Sequence, residues 1–360
     1  MLDIDFFKGK KILLTGHTGF KGAWMSRLLY LAGANVVGYS LGFPSSPSLF
    51  ELCRLDKGMK SITGDIRDLQ KLQNIFNVEN PEIVIHMAAQ PIVRESYKDP
   101  VYTYEVNVMG TVNILECVRK SSSVKSFLNV TTDKVYLNKE WEWGYREYEE
   151  LNGFDPYSNS KSCSELVTDS YKNSFFSKRH IAISTARAGN VIGGGDFAHD
   201  RILPDCIRAI QNGTDIIIRN PYSIRPYEHV LDPIVAYLMI VKAQYEEITY
   251  ADKYNVGPDE NDCWTTGELV TLFCKEWNKL TGKNLSWKNI CTEGPHEANI
   301  LKLDCSKIKK TLGWRPRWNV ETAIEKIVEW NSEYLFNGNI LACMDRQISD
   351  FIYNTPSLMN

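Results

Sequence analysis

The chain has 360 residues, 43% hydrophobic and 24% charged, with a formal net charge of −3. Those proportions provide apolar surface for a large core in one to three domains, and the weakly acidic balance excludes a global attraction to nucleic acid, so any phosphate binding has to be local. With no basic start followed by a long apolar run, and no stretch of about 18 apolar residues anywhere, a cytoplasmic protein without a membrane partner is expected.

In chain order, KILLT (Lys11–Thr15), NVVGYSL (Asn35–Leu41), EIVIHMA (Glu82–Ala88), SFLNVT (Ser126–Thr131) and IAISTARA (Ile181–Ala188) read as strands. Between them KGAWMSRLLYLAG, DLQKLQNIFNVEN and TYEVNVMGTVNILECVRKS carry helical periodicity, the last ending in a polar SSS turn. Strands apolar throughout, alternating with helices, point to a parallel sheet covered on both faces. The expected fold class is therefore α/β, a doubly wound (Rossmann) dinucleotide-binding domain over residues 1–188. Past about residue 190 the pattern turns to GNVIGGGDFAHD and mixed short segments richer in Pro and Gly, closing on NVETAIEKIVEWNSEYL. No period of about 20–50 residues repeats and no low-complexity linker intervenes. A smaller mixed α/β C-terminal substrate domain over residues 189–360 is expected, with some of its segments returning to the first domain. The nine cysteines (Cys53, Cys117, Cys163, Cys206, Cys263, Cys274, Cys291, Cys305 and Cys343) show neither CxxC nor metal-ligand spacing. They read as reduced packing residues, and no metal site is expected.

TGHTGFKGAW (Thr15–Trp24) follows the first strand and opens the first helix, the context in which a glycine fingerprint has meaning. Gly16, Gly19 and Gly22 serve the tight turn, the close approach of backbone to a pyrophosphate, and helix-on-strand packing, while the helix N-terminus offers free N–H groups and the positive end of its dipole. Thr18 and Phe20 complete the loop. His17 and Lys21 stand where small or apolar residues are usual, and either crowd the cofactor or add a cation near phosphate. The second strand ends in Gly38-Tyr39-Ser40-Leu41 rather than in Asp or Glu, and no basic residue follows until Arg54. The missing arginine argues against a 2′-phosphate, so NAD is the expected cofactor, with Tyr39 and Ser40 at its adenine ribose. In GDIRD (Gly64–Asp68), Asp65, beside Ile66, either accepts from the adenine amine or caps the next helix.

TTDK (Thr131–Lys134) stands where the strand SFLNV ends, and PYSNSK (Pro156–Lys161) sets Tyr157 and Lys161 four apart on one helix face. A nearby ammonium favours tyrosinate, drawing the hydroxyl down from about 10 so that it takes a proton from a sugar hydroxyl. Y-x-x-x-K alone is common by chance. Behind a glycine fingerprint, and with a threonine at an upstream strand end, it becomes specific.

TGHTGFKG, HMAAQ (His86–Gln90), NVMGTVNILE (Asn107–Glu116), TTDK, YSNSK and LGWRP (Leu312–Pro316) together resemble, nearly end to end, the extended short-chain dehydrogenase/reductases that act on nucleotide sugars. The lysine form of TTDK, with RAGNVIGGGD (Arg187–Asp196) and RPYEHVLDP (Arg225–Pro233), most resembles their 4,6-dehydratases. The resemblance implies a step of deoxysugar biosynthesis on CDP-glucose run as an internal redox loop. Tyr157, with Thr132 and Lys161, removes the 4-hydroxyl proton as C4 gives hydride to NAD. Asp133 is the acid for the departing 6-hydroxyl, Lys134 holds the place of the base at C5, and the hydride returns to C6. The resemblance also implies Ala88, Ala89, Gln90, Asn107 and Thr131 against the cofactor, and a homodimer or homotetramer. Moving a proton from a lysine ammonium to an aspartate costs roughly 9 kcal/mol in water. Lys134 therefore acts as a base only where burial disfavours both charges, and otherwise as a cation stabilising the developing enolate.

On the substrate side, Asn190, Arg201, Arg219, Arg225 and His229 are candidates to grip the nucleotide diphosphate, since arginine forks suit paired phosphates. Gln90, Arg94 and Ser96 are candidates to line the sugar pocket. KEWEWGYREYEEL (Lys139–Leu151) concentrates Trp141, Trp143, Tyr145 and Tyr148 beside the triad, as a lid, a base-stacking platform or a mini-core. Asn107 orients a water or the lysine, or marks a polar kink. Rival readings share these features: a 4,6-dehydratase of another nucleotide sugar, a nucleotide-sugar epimerase, which has no use for Asp133 and Lys134, and a non-catalytic dinucleotide-binding protein, against which Tyr157 and Lys161 both stand.

Overall fold

The computed structural model describes residues 2–290 and 300–354. Its strands are β1 (Lys11–Thr15), β2 (Asn35–Ser40), β3 (Lys60–Thr63), β4 (Ile83–His86), β5 (Ser126–Val130), β6 (Ala182–Ala188), β7 (Asn190–Ile192), β8 (Ile216–Ile218), β9 (Ile224–His229), β10 (Lys253–Val256), β11 (Cys263–Thr265) and β12 (Trp287–Asn289). All five apolar runs of the first half become strands of one seven-stranded parallel sheet, in the order β3-β2-β1-β4-β5-β6-β10. Every residue of β4, β5 and β6 is buried, as strands covered on both faces must be. The order reverses between β1 and β4, so the loops leaving those strands diverge and open a crevice at the C-terminal edge.

β3 and β10 lie outside the apolar runs. β3 is a short, mostly exposed edge strand, and β10 reads KYNV, far beyond the first half, yet it pairs with β6 from Lys253↔Thr185 to Val256↔Ala188. The apolar helix Leu231–Glu246 returns with it and covers β5 and β6, where the buried Gln244 donates to Ser126 Oγ (2.8 Å) and to the Phe127 carbonyl (3.0 Å). Helix Ile340–Tyr353 lies against helix Phe20–Leu31, joined by an Arg27 fork on Asp345 at 2.6 Å. The remaining strands make a β11-β9-β7 sheet and a β12-β8 pair. Beside them Leu203, Phe273, Trp277 and Ile324 form a second core with helices Ile202–Asn212, Thr266–Thr281 and Val320–Leu335. Cys291 lies outside the described residues; the other eight cysteines are free. Among the described residues no helix is long and apolar enough to cross a membrane.

The helix that carries Tyr157 spans Pro156–Tyr171 and starts where FDPY prescribes. Asp155 caps it by accepting from the Ser158 amide at 2.9 Å, and Pro156 takes the first position, where a missing N–H costs nothing. Its inward face reads Tyr157, Lys161, Glu165, Thr168, all buried. Glu165 anchors that face. Its carboxylate accepts from Arg187 Nε (3.0 Å) and Nη2 (2.9 Å), from Thr185 Oγ1 (2.7 Å) and from Thr131 Oγ1, while Arg187 Nη1 donates to the Tyr136 hydroxyl (2.8 Å) and the Glu147 carbonyl (2.9 Å). Neither side chain of the pair has any exposure. Burial works against the charge on Glu165, but Arg187 and the two hydroxyls outweigh it and hold the carboxyl below its usual range. Arg187→Met strands that carboxylate and should lower unfolding stability by about 3–5 kcal/mol, read as a fall in the denaturant midpoint by circular dichroism.

Candidate active site

Glycine builds the crevice between β1 and β4. Gly16 adopts φ +76°, a left-handed conformation that glycine alone takes without strain, and a Cβ there would stand 2.8 Å from the Ala88 amide nitrogen. A Cβ on Gly22 would stand 2.1 Å from the Gly16 carbonyl oxygen. Thr15 Oγ1 ties the two loops together by accepting from the Met87 (3.1 Å) and Ala88 (3.2 Å) amides. Helix Phe20–Leu31 starts at Gly19 with no side-chain cap, which leaves its first N–H groups free at the positive end of the dipole. A pyrophosphate fits this donor set, and the residues present fit a dinucleotide.

The residues around the cradle divide the work differently from the sequence reading. His17 adds no cation: its ring bridges Ser40 Oγ (3.0 Å) and Ser61 Oγ (2.7 Å), fills the space over Gly38 and meets Phe50 edge-on, and burial pushes its pKa down to about 4. Thr18 donates to the Gly42 carbonyl (2.5 Å), and Ser40 accepts from the Thr18 amide (3.4 Å). Tyr39 is fully buried beneath Gly64, where its hydroxyl holds the Asp65 carbonyl at 2.7 Å. It props the loop from below instead of facing a ligand. Asp65 is not the helix cap; Asp68 accepts from the Lys71 amide and takes that role, while Asp65 pairs with Arg67 at 2.8 Å. Ile66 packs beneath Gly110, and Phe20 packs over Gly193. Ala88 and Ala89 line the crevice half-buried.

At the end of β5, Thr132 Oγ1 donates to Asp133 Oδ1 (2.9 Å), and Lys134 Nζ donates to the same oxygen (3.2 Å) and to Asn190 Oδ1 (3.3 Å). Asp133 is wholly buried and Lys134 about a third exposed, at 31%. Tyr157 hydrogen-bonds Thr132. The expectation that Lys161 draws the tyrosine down is corrected here. Burial pushes the Tyr157 hydroxyl up to about 12, the Thr132 bond and Arg201 pull against it, and Asp133 adds to the rise. Lys161 donates instead to the Val130 carbonyl (3.2 Å), and its own pKa falls to about 8, through burial first and Lys21 second.

Several expected contacts prove to be scaffold. Gln90 spends its amide on Thr103 Oγ1 (2.9 Å), the Ile92 carbonyl (3.1 Å) and the Ile92 amide (2.6 Å). Asn107 sits in a π-helical turn, Glu105–Met109, that interrupts the expected helix; it clamps both backbone groups of Gln90 (2.8 and 3.0 Å) and donates to Ser160 Oγ (2.9 Å) beside Lys161. Thr131 is held by Glu165. His229 is fully buried between Trp24 and Trp318, with its pKa pushed to about 3 by burial, so it is a core histidine and not a phosphate ligand. Ser96, also fully buried, donates to the Val93 carbonyl. Arg225 is buried in β9, donating to the Ile224 carbonyl (2.9 Å). At the mouth, Asp200 joins Arg94 (3.6 Å) to Arg219 (3.3 Å), and Arg201 pairs with Asp196 (2.9 Å) within electrostatic reach of Tyr157. The aromatic loop is a mini-core: Tyr145 stacks on Tyr136 (5.2 Å) and Trp141 (5.4 Å), while Trp143 and Tyr148 stay exposed.

The structure gives Lys21, expected at the cofactor phosphates, a different set of neighbours, and adds two residues the sequence did not single out. Lys21 turns toward Glu228, Asp133 and the face of Tyr237, and its pKa falls to about 8 through enclosure first and Arg201 second. Glu228, in β9, and Asp232, at the start of helix Leu231–Glu246, are buried carboxyls behind the site. Glu165 had a readable signal, the four-residue step from Lys161; Glu228 had none, and only the fold shows that Lys21, expected near phosphate, turns toward Asp133.

The profile described as GDP-mannose 4,6 dehydratase matches residues 13–327. Over 361 residues the chain is 47% identical to CDP-glucose 4,6-dehydratase of Salmonella typhimurium, covering 99% of each. Among solved structures, the dTDP-glucose 4,6-dehydratase DesIV of Streptomyces venezuelae, with NAD and TYD bound, gives a TM-score of 0.76 at 22% identity over 92% of this chain and 99% of that one. UDP-glucose 4-epimerase of Thermotoga maritima, with UDP-glucose, gives 0.78 at 22% identity over 90% and 99%. A dehydratase and an epimerase fit the backbone equally well, so the fold leaves the chemistry to the side chains. By profile and by identity over its whole length, the chain belongs to the GDP-mannose 4,6-dehydratase family of extended short-chain dehydrogenase/reductases.

Proposed function

We infer that the protein dehydrates CDP-glucose to CDP-4-keto-6-deoxyglucose with NAD as its resident cofactor. One observation carries the reading: an acid and an amine, Asp133 and Lys134, are fixed next to the Thr132–Tyr157 pair at the end of β5, with Asn190 holding the amine from the far side. An epimerase needs the threonine and tyrosine but has no task for that acid and amine. The 47% identity to the Salmonella enzyme supports cytidine as the base.

Gly16, Gly19, Gly22 and the open helix N-terminus would hold NAD, which would supply a reversible hydride acceptor and a positive charge that favours tyrosinate. Tyr157 takes the proton of the sugar 4-hydroxyl, and Thr132 holds that oxygen in line. The resulting 4-ketone acidifies C5. Lys134 faces C5, and its two fixed acceptors leave one direction of Nζ open toward substrate, for a lone pair if it is an amine and for a proton if it is an ammonium. Asp133 delivers a proton as the C6–O bond breaks and the hydroxyl leaves as water. The overall change releases water and no net proton, so the proton Tyr157 gains from O4 must replace the one Asp133 gives to O6. Thr132 lies between the two, hydrogen-bonded to both, and completes that return path.

Incubated with CDP-, dTDP-, UDP- and GDP-hexoses, the enzyme should turn CDP-glucose alone into a product with the alkali-dependent ultraviolet band of a 4-keto-6-deoxy sugar; an epimerised product lacking that band sinks the reading. Tyr157→Phe should cut kcat by about 10²–10⁴-fold with the melting temperature held. For Lys134→Met in deuterated water, elimination should slow sharply. Product formed at the native rate with normal C5 deuterium uptake rules out the role given to Lys134.

A further inference from the structure

Asp133 Oδ2, both carboxyl oxygens of Glu228 and the Tyr237 hydroxyl are buried without a hydrogen-bond partner. His86, at the end of β4 and 1% exposed, is the opposite case, with both ring nitrogens engaged. Nδ1 meets Thr15 Oγ1 of β1 at 2.8 Å, and Nε2 meets Thr111 Oγ1 of helix Gly110–Lys120 at 3.4 Å. Thr111 Oγ1 in turn lies 2.9 Å from Ser164 Oγ, on the helix that carries Tyr157 and Lys161. A chain of buried polar side chains therefore crosses from the cofactor crevice to the tyrosine helix, and none of these four groups has a part in the proton and hydride transfers.

Counting protons fixes the direction of every link. Thr15 Oγ1 has two lone pairs and already accepts from the Met87 (3.1 Å) and Ala88 (3.2 Å) amides, so its own proton goes to His86 Nδ1. At the other end, the Asn107 carbonyl lies 2.7 Å from Thr111 Oγ1 and can only accept, so it takes the single Thr111 proton. Thr111 then accepts from Ser164, which itself accepts from Asn129 Nδ2 (2.9 Å), and from His86 Nε2. Both ends assign the same neutral ring, with Nδ1 bare and Nε2 protonated. An imidazolium would aim an Nδ1 proton at a Thr15 oxygen whose lone pairs are filled, and burial, with the charge of Lys161 second, pushes the His86 pKa down to about 3. Four residues before Ser164, Ser160 Oγ accepts from Asn107 Nδ2 at 2.9 Å, so the tyrosine helix is gripped on this side at two successive turns.

We propose that His86, held as the Nε2–H tautomer, is a positioning residue for the oxidation step: through Thr111 and Ser164 it fixes the tyrosine helix to the crevice between β1 and β4. This rests on the dehydratase reading above, in which Tyr157 takes the O4 proton as C4 gives its hydride to the cofactor in that crevice. The two acceptors stand on different pieces of chain, and a misplacement of about 1 Å in such a step costs as much as about 10²-fold. The Glu165–Arg187 pair ties the helix to β6. His86 is the tie toward β1, and it makes both of its bonds only in this one neutral form.

His86→Leu fills the space and removes both bonds. With NAD present, the single-turnover rate at which CDP-glucose reduces the cofactor should fall about tenfold, while the affinity for CDP, measured by calorimetry, stays within about twofold. Thr111→Val should slow the same step, and the double variant should be no slower than Thr111→Val alone, because His86 acts through Thr111. In the cofactor-free wild-type protein, nitrogen-15 spectra of labelled histidine should show the His86 ring with Nδ1 bare and Nε2 protonated, unchanged between about pH 5 and about pH 9. Oxidation at the wild-type rate, a loss shared equally by CDP affinity, losses that multiply in the double variant, or a ring protonated at Nδ1 overturns the proposal. Should His86→Leu not fold, Ser164→Ala breaks the same chain at its helix end and has to show the same slow oxidation with CDP affinity kept. Wild-type protein that forms no 4-keto product from CDP-glucose fails the dehydratase reading itself, and the ring spectrum, taken without cofactor or substrate, still tests the hydrogen-bond chain separately.

Discussion

The catalytic geometry depends on the ion pair between Glu165 and Arg187. It joins four pieces of chain: the tyrosine helix, the end of β5 through Thr131, β6 through Thr185 and Arg187 itself, and the loop beyond β5 through Tyr136 and Glu147. A buried ion pair is weak as a source of net stability, since an apolar pair of equal volume serves about as well. Its distinctive property is direction. A carboxylate accepting four hydrogen bonds from fixed donors sets the rotation of the helix about its axis, and that rotation decides whether Tyr157 and Lys161 face the crevice.

Against this anchor the active site is electrostatically crowded. Lys21, Lys134 and Lys161 share one enclosure with Asp133, Glu228, Tyr157 and Tyr237, and burial raises the proton affinity of both tyrosines and of Glu228 while lowering that of Lys21 and Lys161. All five shifts favour neutral forms. A site prepared in this way asks little further work to move a proton between its members, and unpaired polar atoms kept out of water are the cost in stability at which that readiness is held.

The fold was legible where local physics rules. Fully apolar strands and the G-x-x-G-x-x-G turn each act over a few residues, and each formed as read. β10 was missed because KYNV, although it alternates, is too short to read as an independent strand; its place comes from pairing with β6 and from the cover of helix Leu231–Glu246. Side chains were harder. Gln90, Tyr39 and His229 carry the right chemistry for ligand contact but are consumed by neighbours that only the tertiary structure brings near: Thr103, Asp65 and the two tryptophans. Burial reversed the sign expected for Tyr157, because a pattern of residue types contains no dielectric.

The pairing of β10 with β6 also governs how the chain acquires its structure. During synthesis β6 emerges at residue 188, with Arg187 already needed by Glu165, but the neighbour that closes its free edge arrives only with residues 253–256. Until then the wall of the catalytic crevice ends in unpaired backbone groups, a template for misassociation. The intervening β7, β8 and β9 and their helices must be made first, so the sheet is completed late, by contacts of long sequence separation that slow folding. A nascent chain cut short of Val256 would expose the very strand that holds its active-site helix in place.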